Sequence, residues 1–282
     1  MTGFININKP ENLSSAKVVA AVKRKFNLPC GHMGTLDPMA TGVLPIGVGK
    51  ATRLFPYLID KNKVYRANFL FGTLTDTLDT TGKIEKTTDS IPSETEIKNA
   101  LVNFTGDIDP MPPKFSSKCV QGKRGYELAR AGKDFELKTK RVRIHNIEYT
   151  GKISEKEFSF RITCGGGTYI RSLARDMGEF LGSLAVMSAL IRECSGKFCI
   201  ENAVSLEEFT ESTEPEKYLI PADFAVDYEK LVIEDDKAKK ILDGVYENYG
   251  YRGGVYRVYS KDGFLGIGEA KDGKLRIKAY VR

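Results

Sequence analysis

Residues 31–45 read Gly31-His32-Met33-Gly34-Thr35-Leu36-Asp37-Pro38-Met39-Ala40-Thr41-Gly42-Val43-Leu44-Pro45, and the fold turns on how this stretch is taken. Its glycines and prolines are too dense for a helix, so a long ordered loop is expected, with a short strand around Val43 to Ile46. Asp37 before Pro38 is by itself an ordinary turn opener. Its company argues for more. A histidine and a carboxylate stand five residues apart on a permissive backbone, ahead of an apolar strand able to hold both.

The run continues to Gly49-Lys50-Ala51-Thr52, which invites a phosphate-loop reading. Spacing excludes it: Leu44 stands where that loop needs glycine, and Ala51 where it needs Ser or Thr. Gly266 and Gly268 likewise lack the third glycine of a dinucleotide fingerprint.

Upstream, Gly3 to Asn8 alternates like a strand until Lys9-Pro10, and Ser14 or Ser15 can cap a helix running to Phe26. Downstream, Lys63 to Phe71 reads as a strand. Ser93-Glu94-Thr95-Glu96 is a capping box opening a helix to about Phe104, and Val142 to Thr163 reads as paired strands. Gly165-Gly166-Gly167 leads into Thr168 and a helix with Ile170, Leu173, Ala174, Met177 and Leu181 on one face, stopping at Gly182. There Tyr169 would be core and Arg171 surface on the plainest reading. Ser205 to Glu208 is a second capping box, followed by a loose acidic passage to about Asp227. Beyond it come a short helix (Asp235 to Asp243) and three short strands (Val255 to Tyr259, Phe264 to Glu269, Leu275 to Val281) joined by Lys-Asp-Gly turns.

The chain has 282 residues and a formal charge of +6. That modest figure conceals segregation. Pro112 to Arg143 carries ten cations against three anions, interleaved with Phe115, Tyr126 and glycines, whereas Glu201 to Asp236 carries twelve acids against Lys217 and Lys230. An irregular cationic surface suits phosphate binding better than a solvated helix face. Five cysteines without metal-ligand spacing argue against a disulfide framework or structural zinc, and His32 and His145 are too few for a histidine metal site. No apolar run is long enough to span a membrane and no secretory leader opens the chain, so a cytoplasmic protein is expected.

Several separated blocks then fall into one order: Asn8-Lys9-Pro10 with Ser14-Ser15, the 31–52 block, Lys63-Val64-Tyr65-Arg66, Thr75-Asp76-Thr77-Leu78-Asp79, Met111 to Ser116, Gly122-Lys123 with Tyr126 to Arg130, and Gly167-Thr168-Tyr169-Ile170-Arg171. In this series the chain resembles the TruB-type tRNA pseudouridine synthases over essentially its full length. The resemblance implies an α+β fold, with a mixed, mainly antiparallel central sheet flanked by helices and a small β-rich PUA-like C-terminal domain. Its boundaries would be 1–226 for the catalytic domain, with a basic RNA-gripping insert at about 105–145, and 227–282 for the small domain. Departures are Met33, Thr35, Gly125 and Gly165-Gly166, none of them at the matched site positions.

Family chemistry would convert T-loop uridine 55 of tRNA to pseudouridine, breaking the N-glycosidic bond, turning the base and rejoining it through C5. No cofactor or metal is then needed, and a monomer engaging one tRNA T-stem-loop is expected. Asp37 matches the catalytic aspartate, attacking either base or ribose. Arg171 matches its cation partner, Tyr65 the tyrosine that stacks on the base and is a suggested proton carrier, Tyr169 another pocket residue and Leu190 an apolar wall. His32 matches the residue that fills the space the base leaves. Lys9 and Asp79 match recurrent positions near the pocket, with a structural salt bridge an equal reading for Asp79. Two rivals stand beside this: an RNA-binding or RNA-folding protein on the same scaffold, and the guide-RNA-dependent relatives of archaea and eukaryotes.

Overall fold

A computed structural model describes residues 1–282 except Ile59, Asp60, Ser117, Gln121, Asp134 and Glu247, and leaves the side chains of Cys119, Val120, Lys123 and Arg124 undescribed. Asp134, Lys123 and Arg124, counted above in the basic segment, therefore fall wholly or in their side chains outside the described residues.

Among the described residues the core is a mixed sheet of eleven strands. Its main path runs 204–205, β1 (Gly3–Lys9), β3 (Thr41–Val48), the strand Ala185–Ser195, β4 (Lys63–Phe71), Glu157–Cys164, Val142–Lys152 and Gly106–Ile108, with β2 (Cys30–His32) paired to β3. Most pairs are antiparallel; the exceptions are β1 with 204–205 and β3 with Ala185–Ser195. β4 alternates buried and less buried residues throughout its nine residues, as its sequence predicts. The strand Ala185–Ser195, unassigned from the sequence, lies at the centre. Its run AVMSALIRECS is nearly continuously apolar at the start, which periodicity alone cannot tell from a helix, and two register shifts break any alternation.

Helix α1 (Ser15–Phe26) begins at the Ser14 cap, whose hydroxyl accepts from the Lys17 amide, and ends on Asn27 in the left-handed conformation. It lies against β2 and β3. The helix Ile170–Phe180 buries Ile170, Leu173, Ala174 and Met177 against Ala185–Ser195. The box at Ser93 is reciprocal as expected, but at Ser205 only half forms: the Glu208 amide donates to Ser205, while the Glu208 carboxylate accepts from Tyr218.

The acidic passage is ordered rather than loose: it holds a helix at Leu206–Glu211 and the strand Ile220–Pro221, which pairs with β1. From Glu229 the chain builds a separate four-stranded sheet, Glu229–Val232, Gly254–Ser260, Gly263–Lys271 and Lys274–Tyr280. Ile267 and Ala279 of that sheet, and Val281 just past its last strand, share one buried cluster with Phe4, Val43, Leu54 and Phe198, so the appendage rests on the main body. The expectation of no disulfide needs one correction. Cys194 and Cys199 face each other across a tight antiparallel pair and are joined, a proximity that cysteine counting cannot see. Among the described residues no helix is long and apolar enough to cross a membrane.

Candidate active site

Asp37 lies in the loop between β2 and β3, and both its neighbours are tied down. The Ser15 hydroxyl donates to the Leu36 carbonyl and accepts from the Leu36 amide, each at 2.9 Å, within the buried interior. On the other side the fully buried Lys9 ammonium donates to the carbonyls of Pro10 (2.7 Å), Leu13 (2.7 Å) and Pro38 (3.0 Å). Ser14 and Ser15, alternatives for one cap in the sequence, thus divide two tasks. Lys9 reaches Asp37 through the backbone beside it rather than by a direct bond.

The Asp37 carboxylate is gripped at both oxygens by Arg171, from the first turn of the helix Ile170–Phe180: Nε is 2.9 Å from Oδ2, and Nη2 donates to Oδ1 at 3.0 Å. The same guanidinium donates to the carbonyls of Thr77 (2.9 Å) and Phe115 (3.0 Å) and lies 3.8 Å from Asp79 Oδ2. Arg171 is only 5% exposed, so the plain reading of it as a surface residue is overturned. One side chain ties the Asp37 loop, the 77–79 loop and the start of the basic insert.

Asp79 mainly organises its own loop. Its Oδ1 accepts from the Thr77 hydroxyl, the Thr81 amide and the Thr81 hydroxyl, and its backbone carbonyl accepts from Thr75. The segment is fastened to the central strand through the Met187 amide, which donates to Leu78, and the Thr80 amide, which donates to Met187.

Two hollows meet at Asp37. One of about 670 Å3 is bounded by Ser14, Met39, Thr77, Phe115, Tyr126 and Arg130. The other, about 390 Å3, is lined by Lys63, Tyr65, Tyr169, Met187, Leu190 and Arg192. His32, Asp37 and Arg171 line both, so the ion pair stands at their junction. All eight site residues expected from the sequence are therefore close in space or, for Lys9, one carbonyl removed. A larger hollow of about 1050 Å3 lies beyond Lys9, between α1 and Ser205–Thr210, but no aromatic ring lines it, so it offers no stacking surface. Among the described residues no three His, Cys, Asp or Glu side chains gather to hold a metal.

Withdrawal from water pushes the Asp37 carboxyl above the usual aspartate range, with Arg171 opposing and Asp79 adding to the rise. Desolvation lowers the Lys9 ammonium to about 8, so at neutral pH it keeps the three protons its carbonyl partners use. Burial likewise raises the Tyr65 phenol, and Arg192 opposes it.

Sequence reasoning missed Arg192, which is 1% exposed and lines the same hollow. The available signal was an arginine two residues after Leu190, at the end of a mostly apolar run and just before Glu193; without the strand assignment its side could not be told.

Residues 23–170 match the model of the TruB family pseudouridylate synthase N-terminal domain. The chain is 38% identical over 296 residues to tRNA pseudouridine synthase B of Clostridium tetani, and 41% identical over 288 residues to that of Aquifex aeolicus, with 100% of both chains covered in each case. In fold it is similar to a chain of an H/ACA RNP bound to a substrate RNA containing 2'-deoxyuridine (TM-score 0.75, 24% identity, 99% of this chain and 85% of that one). The archaeal box H/ACA sRNP Nop10-Cbf5 complex is similar too (TM-score 0.72, 25% identity, 99% and 86%). With more than half its length under the family model and such relatives matching it end to end, the chain belongs to the TruB family of pseudouridylate synthases.

Proposed function

We propose that this enzyme isomerises T-loop uridine 55 of tRNA to pseudouridine, with Asp37 as the nucleophile. The observation that carries the reading is the Asp37–Arg171 pair at the junction of two hollows, held by flanking backbone bonds. A nucleophilic carboxylate must stay ionised where water is scarce, and a bidentate guanidinium supports that form while leaving the oxygen faces open to the cleft. Attack at base or ribose leads to the same exchange: the C1′–N1 bond breaks, the base turns, C1′–C5 forms, a proton leaves C5 and one is gained at N1. Nothing is oxidised or reduced overall.

Tyr65 offers a ring to the extruded uracil and a hydroxyl for proton movement, with Tyr169 and Leu190 as further walls. Extrusion costs a few kcal/mol, and stacking offsets part of it. His32, at the junction, fits a residue that enters the space the base vacates. The insert at about 105–145 would grip the T-stem-loop, and residues 227–282 would form a PUA-like RNA-binding unit beside a catalytic body of 1–226. On this reading a monomer acts in the cytoplasm without cofactor or metal.

Asp37→Asn tests the reading: the wild-type protein should form pseudouridine in a T-loop transcript without guide RNA, and the variant should bind that RNA yet form none. Binding without product from either protein would leave an RNA-folding role instead.

A further inference from the structure

Among the described residues Arg192 is the bulkiest of the fully buried side chains. Among the described residues no carboxylate lies within ion-pair distance of it; its guanidinium bonds backbone carbonyls, Nε donating to Val43 at 2.7 Å and Nη2 to Gly34 at 3.1 Å. A buried cation without an anion is costly and calls for a reason. The strand register supplies its surroundings. Arg192 pairs directly with Tyr65 across β4 and Ala185–Ser195, which sets both side chains on one face of the sheet, and its guanidinium is the cation that acts most on the Tyr65 hydroxyl. Both side chains line the hollow beside Asp37.

A guanidinium has donors and no acceptor. Towards Arg192 the phenol oxygen of Tyr65 can therefore only accept, and a phenol so engaged would turn its proton elsewhere. We propose that Arg192 is a positioning residue for the isomerisation: it occupies the Tyr65 oxygen from behind, so that the hydroxyl proton is presented to the base in the cleft. The inference rests on the reading of Tyr65 as the residue against which the extruded uracil lies. Each turnover moves one proton off C5 and adds one at N1; a phenol that gives one and takes the other ends the cycle unchanged. While its oxygen carries negative charge, Arg192 is the cation that faces it. The Gly34 and Val43 carbonyls fix the guanidinium from the two ends of the Asp37 loop, so nucleophile and proton carrier share one anchor. Asp37 and Cys164 are the other titratable groups that act on the Tyr65 hydroxyl.

The test is a double-mutant cycle in single-turnover pseudouridine formation, with Arg192→Gln, Tyr65→Phe and their combination, beside phenol titration by NMR of 13C-tyrosine-labelled protein. Arg192→Gln should slow the step about 100-fold, as loss of a positioned proton carrier does, with tRNA affinity held to within about twofold. In the Tyr65→Phe background the same change should cost less than about threefold, because the hydroxyl it acts through is gone. Arg192→Lys should recover part of the rate, and the Tyr65 phenol should titrate higher in Arg192→Gln. Equal losses in both backgrounds would overturn the proposal, as would a Tyr65 phenol that titrates unchanged. Should Arg192→Gln not fold, the titration and the cycle with Arg192→Lys decide by the same criteria. Wild-type protein that forms no pseudouridine would defeat the proposed function, whereas the phenol titration reads the action of Arg192 on Tyr65 without turnover.

Discussion

Ser15 touches no catalytic atom, yet its hydroxyl holds both backbone groups of Leu36, the residue before Asp37. Ser15→Ala would leave a buried amide and carbonyl without their partner, at a cost of about 1–3 kcal/mol in stability, and would let the carboxylate drift from Arg171. A fall in melting temperature together with a roughly tenfold loss of rate is expected. Ser93→Ala is the matched control: loss of the cap on the helix Glu94–Ala100, which lines none of the cleft, costs about 1 kcal/mol, with the rate spared. Full activity in Ser15→Ala would show that the Asp37 loop keeps its shape without this clamp.

The pH dependence follows from the two shifted groups at the loop. On the proposed role of Asp37 its carboxylate is the active form, so the rate rises as pH passes through its raised value, and the acid limb should lie above the ordinary aspartate range. Arg171→Gln removes the opposing cation and should move that limb further up while lowering the rate about 100-fold. Lys9 works while protonated. As pH climbs past about 8 it loses a proton, one of its three carbonyls loses a donor and the Pro38 side of the loop loosens. A falling limb near that value is therefore expected in single-turnover rates, and it should vanish in Lys9→Met, whose rate is low throughout.

At the level of elements, the site depends on how closely β3 approaches the central strand Ala185–Ser195. Gly42 has φ +99°, and a Cβ there would collide with the Arg192 backbone. Gly42→Ala must strain the turn and push the strands apart, so a loss of at least about 2 kcal/mol is expected from chemical denaturation. Gly106→Ala, at a similar φ but with nothing near its missing Cβ, should cost less, since only backbone strain acts. The same pair of strands shows what sequence can and cannot reveal. β4 and α1 were legible because each buries one face, so periodicity of two or of helical spacing is written in their residues. The central strand is packed against neighbours on both edges and carries two register shifts, which erase the alternation that would expose it. Asp37, Tyr65 and Arg171 could be singled out from motifs, but Arg192 acquires meaning only through its register opposite Tyr65, a fact of pairing rather than of order. The role of Ser15, likewise, depends on a loop twenty-one residues away.

Across the whole molecule, part of the acidic charge is engaged by the protein's own side chains. Asp227 bridges Lys61 and Lys197, at 2.6 and 2.5 Å, and Asp223 accepts from Tyr259. In the basic insert, by contrast, Lys114, Lys133, Lys138 and Lys140 are exposed, while Phe115, Tyr126 and Arg130 turn toward the cleft beside Asp37. Cations left in solvent next to an aromatic-lined hollow favour an anionic polymer that enters the cleft at one point and runs along the insert. Converting Lys114, Lys133, Lys138 and Lys140 to glutamate should therefore weaken tRNA binding most at low salt. The slope of log affinity against log salt should fall in magnitude by about 0.7–0.9 for each phosphate that is no longer neutralised. The reverse change on the acidic side, Glu214 and Glu216 to lysine, should leave that slope where it was, because those carboxylates lie on a segment that lines none of the cleft beside Asp37. Filter binding at several salt concentrations decides between the two surfaces. An unchanged slope in the insert variant, or a steeper one in the acidic variant, would move the RNA path away from the insert and onto the face that carries the 201–236 segment.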